Sequence, residues 1–197
     1  MAAYFVKIAA GLSASNPREL TFNDFSDFTP NLTPYQIFKL GSFGGTYWRP
    51  IESKTNNKLY KNLHLELPNE WWNDIDLIYL TSHKENLKLN RYKVRSGTNL
   101  EYWESKNWID PIDPYGWVQW YCHFYTGRRS HDDKRQIQRW KNFTGPNGRW
   151  KQRLISMVLK KDSQYNDEKI SPVIRQGLQH WGYQLTEEDF QEALWRR

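Results

Sequence analysis

Gln119 and His123 stand four residues apart in "DPYGWVQWYCHFYTGRRS", residues 113–130, a stretch crowded with aromatic rings. On a helix, that spacing makes the two side chains neighbours on one face. An amide beside an imidazole can hold a substrate group or move a proton, provided the strip they share with Gly116 lines a pocket. Tyr115, Trp117, Trp120, Tyr121, Phe124 and Tyr125 fill the rest of the circumference, with Val118 and Cys122 among them. A helix apolar nearly all round is normally buried in the middle of its domain. Most of these rings therefore read as core, and Gln119 and His123 are the candidates for a catalytic or ligand-binding pair.

The second chemistry is electrostatic. The chain carries a net +6, but eleven basic residues face only two acids between Thr126 and Lys161, so the local excess is +9 and the remainder of the chain carries −3. The segment "SHDDKRQIQRWKNF" reads as a helix with Ile137, Trp140 and Phe143 inward. Lys134, Gln138 and Lys141 then share one exposed face, with Arg135 and Arg139 alongside. Arg128 and Arg129 precede this helix. Arg149 and Arg153 lie on the outer side of the next one, whose start at "GPNGR" offers free backbone N–H groups to an anion. The planar guanidinium fork suits phosphate, and the shortage of local acids argues against a merely salt-bridged surface. The eight candidates for phosphate contact are Arg128, Arg129, Lys134, Arg135, Arg139, Lys141, Arg149 and Arg153.

Other constellations fail on detail. "GSFGGTYWRPI" contains no Gly-Lys-Ser/Thr, and Gly41, Gly44 and Gly45 do not have the dinucleotide-binding spacing. Gly41 reads as a helix cap and Gly44-Gly45 as a turn, with Arg49 just beyond it able to reach an anion. His131, Asp132 and Asp133 are adjacent on a helix and point apart, so no metal site is assigned, and Asp132 and Asp133 suit the positive end of the helix instead. Cys122 and His123 diverge for the same reason, which leaves Cys122 as an inert core thiol. His180, near a helix C-terminus, would be favoured as a cation there. The acidic start of the last helix, Glu187, Glu188 and Asp189, excludes it as a recognition helix in a DNA groove. No cofactor motif is present.

The elements that must position these residues are marked mainly by caps. Thr33-Pro34 opens "TPYQIFKL", Thr98 opens "TNLEYWESK", and Asp113 with Pro114 at the first helical position opens the aromatic helix, which ends near Gly127. Ser130 with Asp133 caps the basic helix and Gly145-Pro146 ends it. Residues 149–160 form the next helix, Ser171-Pro172 starts another that Gly182 closes, and Thr186 with Asp189 caps the last. The first half looks different, with short strands expected at Ala3–Ile8, "TYWRPI" and "YKVR" separated by long loops. The fold class is α+β and predominantly helical, in a single domain. Residues 1–97 form an irregular part with a few short strands, and residues 98–197 a compact helical part.

Eleven tryptophans supply core where aliphatic residues are scarce. A single cysteine excludes an intrachain disulfide and favours a reducing, intracellular compartment, cytoplasmic or nuclear. No apolar run has membrane-spanning length. The reading is a nucleic-acid-binding protein, DNA and RNA not distinguished, that uses a basic, arginine-rich helical face with adjacent aromatics. One rival is an enzyme acting on nucleic acid or another phosphorylated substrate, with its pocket near Gln119 and His123. The other is an assembly protein whose basic face meets an acidic partner.

Overall fold

A computed structural model of the chain describes residues 19–196. The expected strand Ala3–Ile8 lies outside them. The described residues are predominantly helical, with one small antiparallel sheet.

Helix α1, Pro34–Lys39, begins where its capping box requires: Gln36 donates its backbone N–H to Thr33 Oγ1, and the Gln36 side chain accepts from the Thr33 N–H. Strands β1, Ile51–Ser53, and β2, Lys58–Tyr60, pair with Ile51 opposite Tyr60. Glu104 fastens their turn, accepting from Ser53 Oγ at 3.1 Å and the Lys54 N–H at 2.8 Å. Of the expected strand "TYWRPI" only Ile51 is in a strand. Tyr47 and Trp48 are both buried, which an alternating half-exposed strand does not allow. The "YKVR" strand is absent, because the Tyr92 N–H goes to the Gln176 side chain and not to a ladder. Between residues 61 and 99 the chain makes only isolated 3₁₀ turns.

The helical half follows as α2 Leu100–Ser105, α3 Trp117–Tyr125, α4 Asp133–Thr144, α5 Arg149–Lys160, α6 Pro172–His180 and α7 Glu187–Trp195. Three starts differ from expectation. Asn99, not Thr98, caps α2, by accepting from the Tyr102 N–H. Asp113 and Pro114 form a turn ahead of α3, and Gly116 is its N-cap. The buried Asp113 carboxylate is held by Arg128 and is not free to cap. Ser130 does not cap α4 either: its N–H and Oγ both donate to the Asp133 carboxylate, at 2.9 Å each.

The main apolar cluster draws on both halves of the sequence, from Phe22, Phe28, Phe38 and Trp48 to the aromatic faces of α3 and α4. Phe28 presents its ring edge-to-face to Tyr121, Phe124 and Trp140, at centroid distances of 5.7, 5.4 and 5.1 Å. Trp120 is fully buried and its indole N–H donates to Asp133 Oδ1 at 2.8 Å. Tyr115, Trp117 and Tyr121 are buried too, so the rings of residues 113–130 are mostly core. Cys122 is buried among them, and burial pushes its thiol well above the usual range. A second, smaller cluster joins α5, α6 and α7 through Leu154, Ile155, Val158, Leu178 and Phe190.

Candidate functional site

The eight basic candidates do not form one bare face. Arg128 pairs with Asp113, Arg129 with Asp24, Arg135 with Asp132 and Lys141 with Asp27. Asp24 and Asp27 come from the N-terminal segment, so the missing local acids are supplied from a distance of more than a hundred residues in the chain. Lys134, Arg149 and Arg153 are exposed, and Arg139 is half-buried. Expected to stand outside on α4, Arg139 instead turns into a cleft.

That cleft, about 680 Å³, is where the loop after α2, the start of α3, the inner side of α4, the start of α5 and the end of α6 meet. Its wall includes Trp103, Trp108, Trp117, Trp150, Trp181 and Phe143, together with Arg135, Arg139 and Arg149. Phe143 stacks on Trp181 at 5.0 Å, and Trp117 lies 4.7 Å from the same ring. The Arg139 guanidinium lies 5.5 Å from the Trp108 ring centre and 5.3 Å from that of Trp181. It donates to Gln136 Oε1 at 3.0 Å and to the Trp108 carbonyl at 3.3 Å, and meets no carboxylate among the described residues. Burial, with Arg135 adding to it, depresses its pKa to about 10. Arg139 stays charged at neutral pH, half-buried, with Asp132 near enough to favour the charge but no carboxylate in direct contact among the described residues. Such a charge is costly until an anion joins it. The buried indole N–H of Trp117 also lacks a partner.

A second chamber of about 580 Å³ adjoins the first, and Phe43, Tyr47, Thr98, Trp103 and His180 belong to both. Its other residues are mostly polar, among them Arg49, His83, Glu85, Asn99 and Glu101. Arg49, which the sequence places after a turn and within reach of an anion, is thus at the site. The loop "GSFGG" sets the boundary between the chambers. Phe43, with φ of +55°, stacks its ring on His180 at 3.9 Å and 17°.

His180 is held in one tautomer. Gln176 Oε1 accepts from the Tyr92 N–H, which fixes that amide so its Nε2 is the group facing His180 Nε2, at 3.0 Å. The Phe43 N–H points at the same ring nitrogen, at 3.3 Å. His180 Nε2 is therefore an acceptor, and the ring proton sits on Nδ1. The expectation of a cation at this helix end is overturned, since burial depresses the pKa from 6.5 to about 3. The desolvation of a buried imidazole outweighs a helix-terminal field.

This shift has a measurable consequence. With a depressed folded-state pKa, the stabilising contribution is whole above the unfolded value near 6.5 and is lost as pH falls toward 3. At pH 5 the unfolded chain gains about 2 kcal/mol from protonating this one residue. Urea unfolding at pH 7 and pH 5 should therefore show a loss in stability that is about 2 kcal/mol smaller in His180→Gln. His123, whose pKa burial lowers to about 4, acts in the same direction in both proteins.

Neither Gln119 nor His123 belongs to the cleft. Gln119 Oε1 accepts from the Tyr115 N–H at 2.9 Å and so closes the turn before α3. His123 Nε2 is buried with no partner, on the Arg128 side of the helix. The two do not combine into a polar cavity. Asp132 and Asp133 are likewise occupied structurally, by Arg135 with Gln136 and by Trp120 with Ser130.

No family model, curated protein or solved structure matches this chain. No helix among the described residues is long and apolar enough to cross a membrane. Among those residues no group of three His, Cys, Asp or Glu is placed to hold a metal ion.

Proposed function

We propose that the protein binds single-stranded nucleic acid in this cleft, with bases stacked on its tryptophans and phosphates on Arg139 and Arg149. The observation that carries the reading is Arg139, a charged, half-buried guanidinium flanked by two indoles and in direct contact with no described carboxylate. It suits a ligand that is at once anionic and flat. Stacking against aromatic side chains is worth about 1–3 kcal/mol per base and needs an exposed base face, which a single strand offers and a duplex hides. Arg149 lies 5.2 Å from the Trp150 ring centre at the mouth, again a cation beside an indole. The eight-residue basic face thereby narrows to Arg139 and Arg149, the two candidates that line the cleft without a carboxylate partner among the described residues, with Arg135, already paired, beside them.

Tryptophan fluorescence tests this directly, because the ligand would stack on the reporting rings. Titration with an oligothymidylate should quench the emission, and the affinity should exceed that for a duplex of equal length by about tenfold or more. Equal affinity for the duplex, or binding with no change in emission, would overturn the stacking mode.

A further inference from the structure

We propose that the two chambers hold two consecutive nucleotides of one strand, with the phosphodiester that joins them at the waist, where His180 donates its Nδ1–H to it. The inference rests on the single-strand reading above and adds a site size and a positioning residue to it.

Three observations lead there. Each chamber alone falls within the roughly 300–1,000 Å³ of a small-molecule site, so the pair fits two linked units better than one. Their linings differ in kind. The tryptophan chamber accepts any base by its face. The polar chamber carries the Glu101 carboxylate and the Asn99 amide nitrogen, neither of which bonds to a described residue, so it meets a base by its edge. The boundary is a buried polar group with unfilled capacity. His180 is only 7% exposed, its ring is fixed by Phe43 and its Nε2 by two donors, yet its Nδ1–H donates to no described residue. His180 lines both chambers.

A fixed neutral donor between two subsites needs an acceptor between two subsites. In a strand, the non-bridging oxygens of the linking phosphate stand there. A hydrogen bond to a charged group is worth more than a neutral one, and an ordered ring loses little entropy in making it. His180 thus sets the register of the strand, while Arg139 and Arg149 supply the counter-charge on the tryptophan side.

The experiment uses the full chain and 5′-phosphorylated oligothymidylates of one to four nucleotides. Affinity should rise by about tenfold or more from one nucleotide to two, and by less than about threefold for each one added after that. His180→Phe keeps the ring against Phe43 and removes the donor. It should weaken binding of the dinucleotide more than that of the mononucleotide, and so shrink the gain of the second nucleotide to less than about threefold. A purely structural role would lower both equally, and that result overturns the assignment of His180. Because the variant also loses an acceptor for two N–H groups, a ligand-side test accompanies it on the parent protein. A dinucleotide with a methylphosphonate linkage, resolved into its two isomers, should in one isomer bind no better than the mononucleotide. Parent-like binding of both isomers overturns the phosphate contact and points to a base carbonyl. Saturable mononucleotide binding with no gain from the second nucleotide overturns the two-subsite arrangement and leaves the single-strand reading in place. If no member of the series binds, both fall.

Discussion

Replacing Arg139 and Arg149 together by glutamine is expected to weaken single-strand binding by about a hundredfold, taking each lost charge-assisted contact at about 1.5 kcal/mol or more. The plot of log affinity against log salt should flatten by about 1.4, the share of two phosphate contacts on a single strand. The fold should survive. Arg149 is exposed, and Arg139 is half-buried and bonds only a glutamine oxygen and a carbonyl, so neither substitution strands a buried carboxylate. The informative control is Arg129→Gln with Lys141→Gln. Both of those cations lie in the same basic segment but pair with Asp24 and Asp27. Removing them leaves the net charge change identical, and binding should stay within about threefold of the parent, since a neutralised cation releases no further counter-ions on binding. An equal loss from the two double variants would mean that a diffuse field, not the cleft, attracts the strand.

That control also marks where the sequence stops being informative. Helix positions followed from short-range rules, so α5 at Arg149–Lys160 and the caps at Thr33 and Thr186 could be read directly. The burial of the rings followed from the all-round apolarity of α3. What could not be read was which charges meet across the fold. Asp24 and Asp27 lie more than a hundred residues from Arg129 and Lys141. No local pattern links them, and the basic segment looks unpaired until the chain is folded. The cleft was hidden for the same reason. Its residues come from the loop at Phe43, the loops at Gly97 and Trp108 and five helices, and each alone has a plain structural explanation. One local signal was present. "QRW" at 138–140, "GRW" at 148–150 and "QHW" at 179–181 each set a tryptophan directly after a basic residue or histidine, and the last two supply Arg149, Trp150, His180 and Trp181 to the cleft. Gln119 and His123 drew attention as the polar pair on an apolar helix. Yet Gln119 is polar because a backbone N–H in the preceding turn needs an acceptor, which is a requirement of the fold.

The loop "GSFGG" is a test of how that cleft is built. It is not a phosphate loop, but its glycines are needed to bring two backbones together. The Ser82 N–H donates to the Gly45 carbonyl at 2.9 Å, the Asn86 N–H to that of Gly44 at 3.0 Å, and the Arg91 N–H to that of Gly41 at 3.0 Å. These bonds bind the loop to residues 82–91 and hold Phe43 against His180. Gly45 has φ of +81°, and a Cβ there would lie 2.0 Å from the Ile78 carbonyl oxygen and 2.8 Å from a Leu89 methyl. A backbone atom of a neighbouring turn cannot swing aside as a side chain would. Gly45→Ala should therefore combine a left-handed backbone penalty of about 1–2 kcal/mol with a clash that forces the two segments apart. A total loss of at least about 3 kcal/mol corresponds to a melting temperature lower by about 10 °C in a chain of this length. Gly97→Ala separates the two causes. Gly97 has φ of +85°, but a Cβ there meets nothing within 4 Å, so it should show the backbone penalty alone. Below its own melting temperature Gly45→Ala should also bind single strands less tightly than Gly97→Ala does, because displacement of the loop moves Phe43 and with it the Nδ1–H of His180. Equal melting temperatures for the two variants would show that the 41–45 and 78–91 segments yield to a methyl group, and that the wall of the cleft is softer than its hydrogen bonds imply.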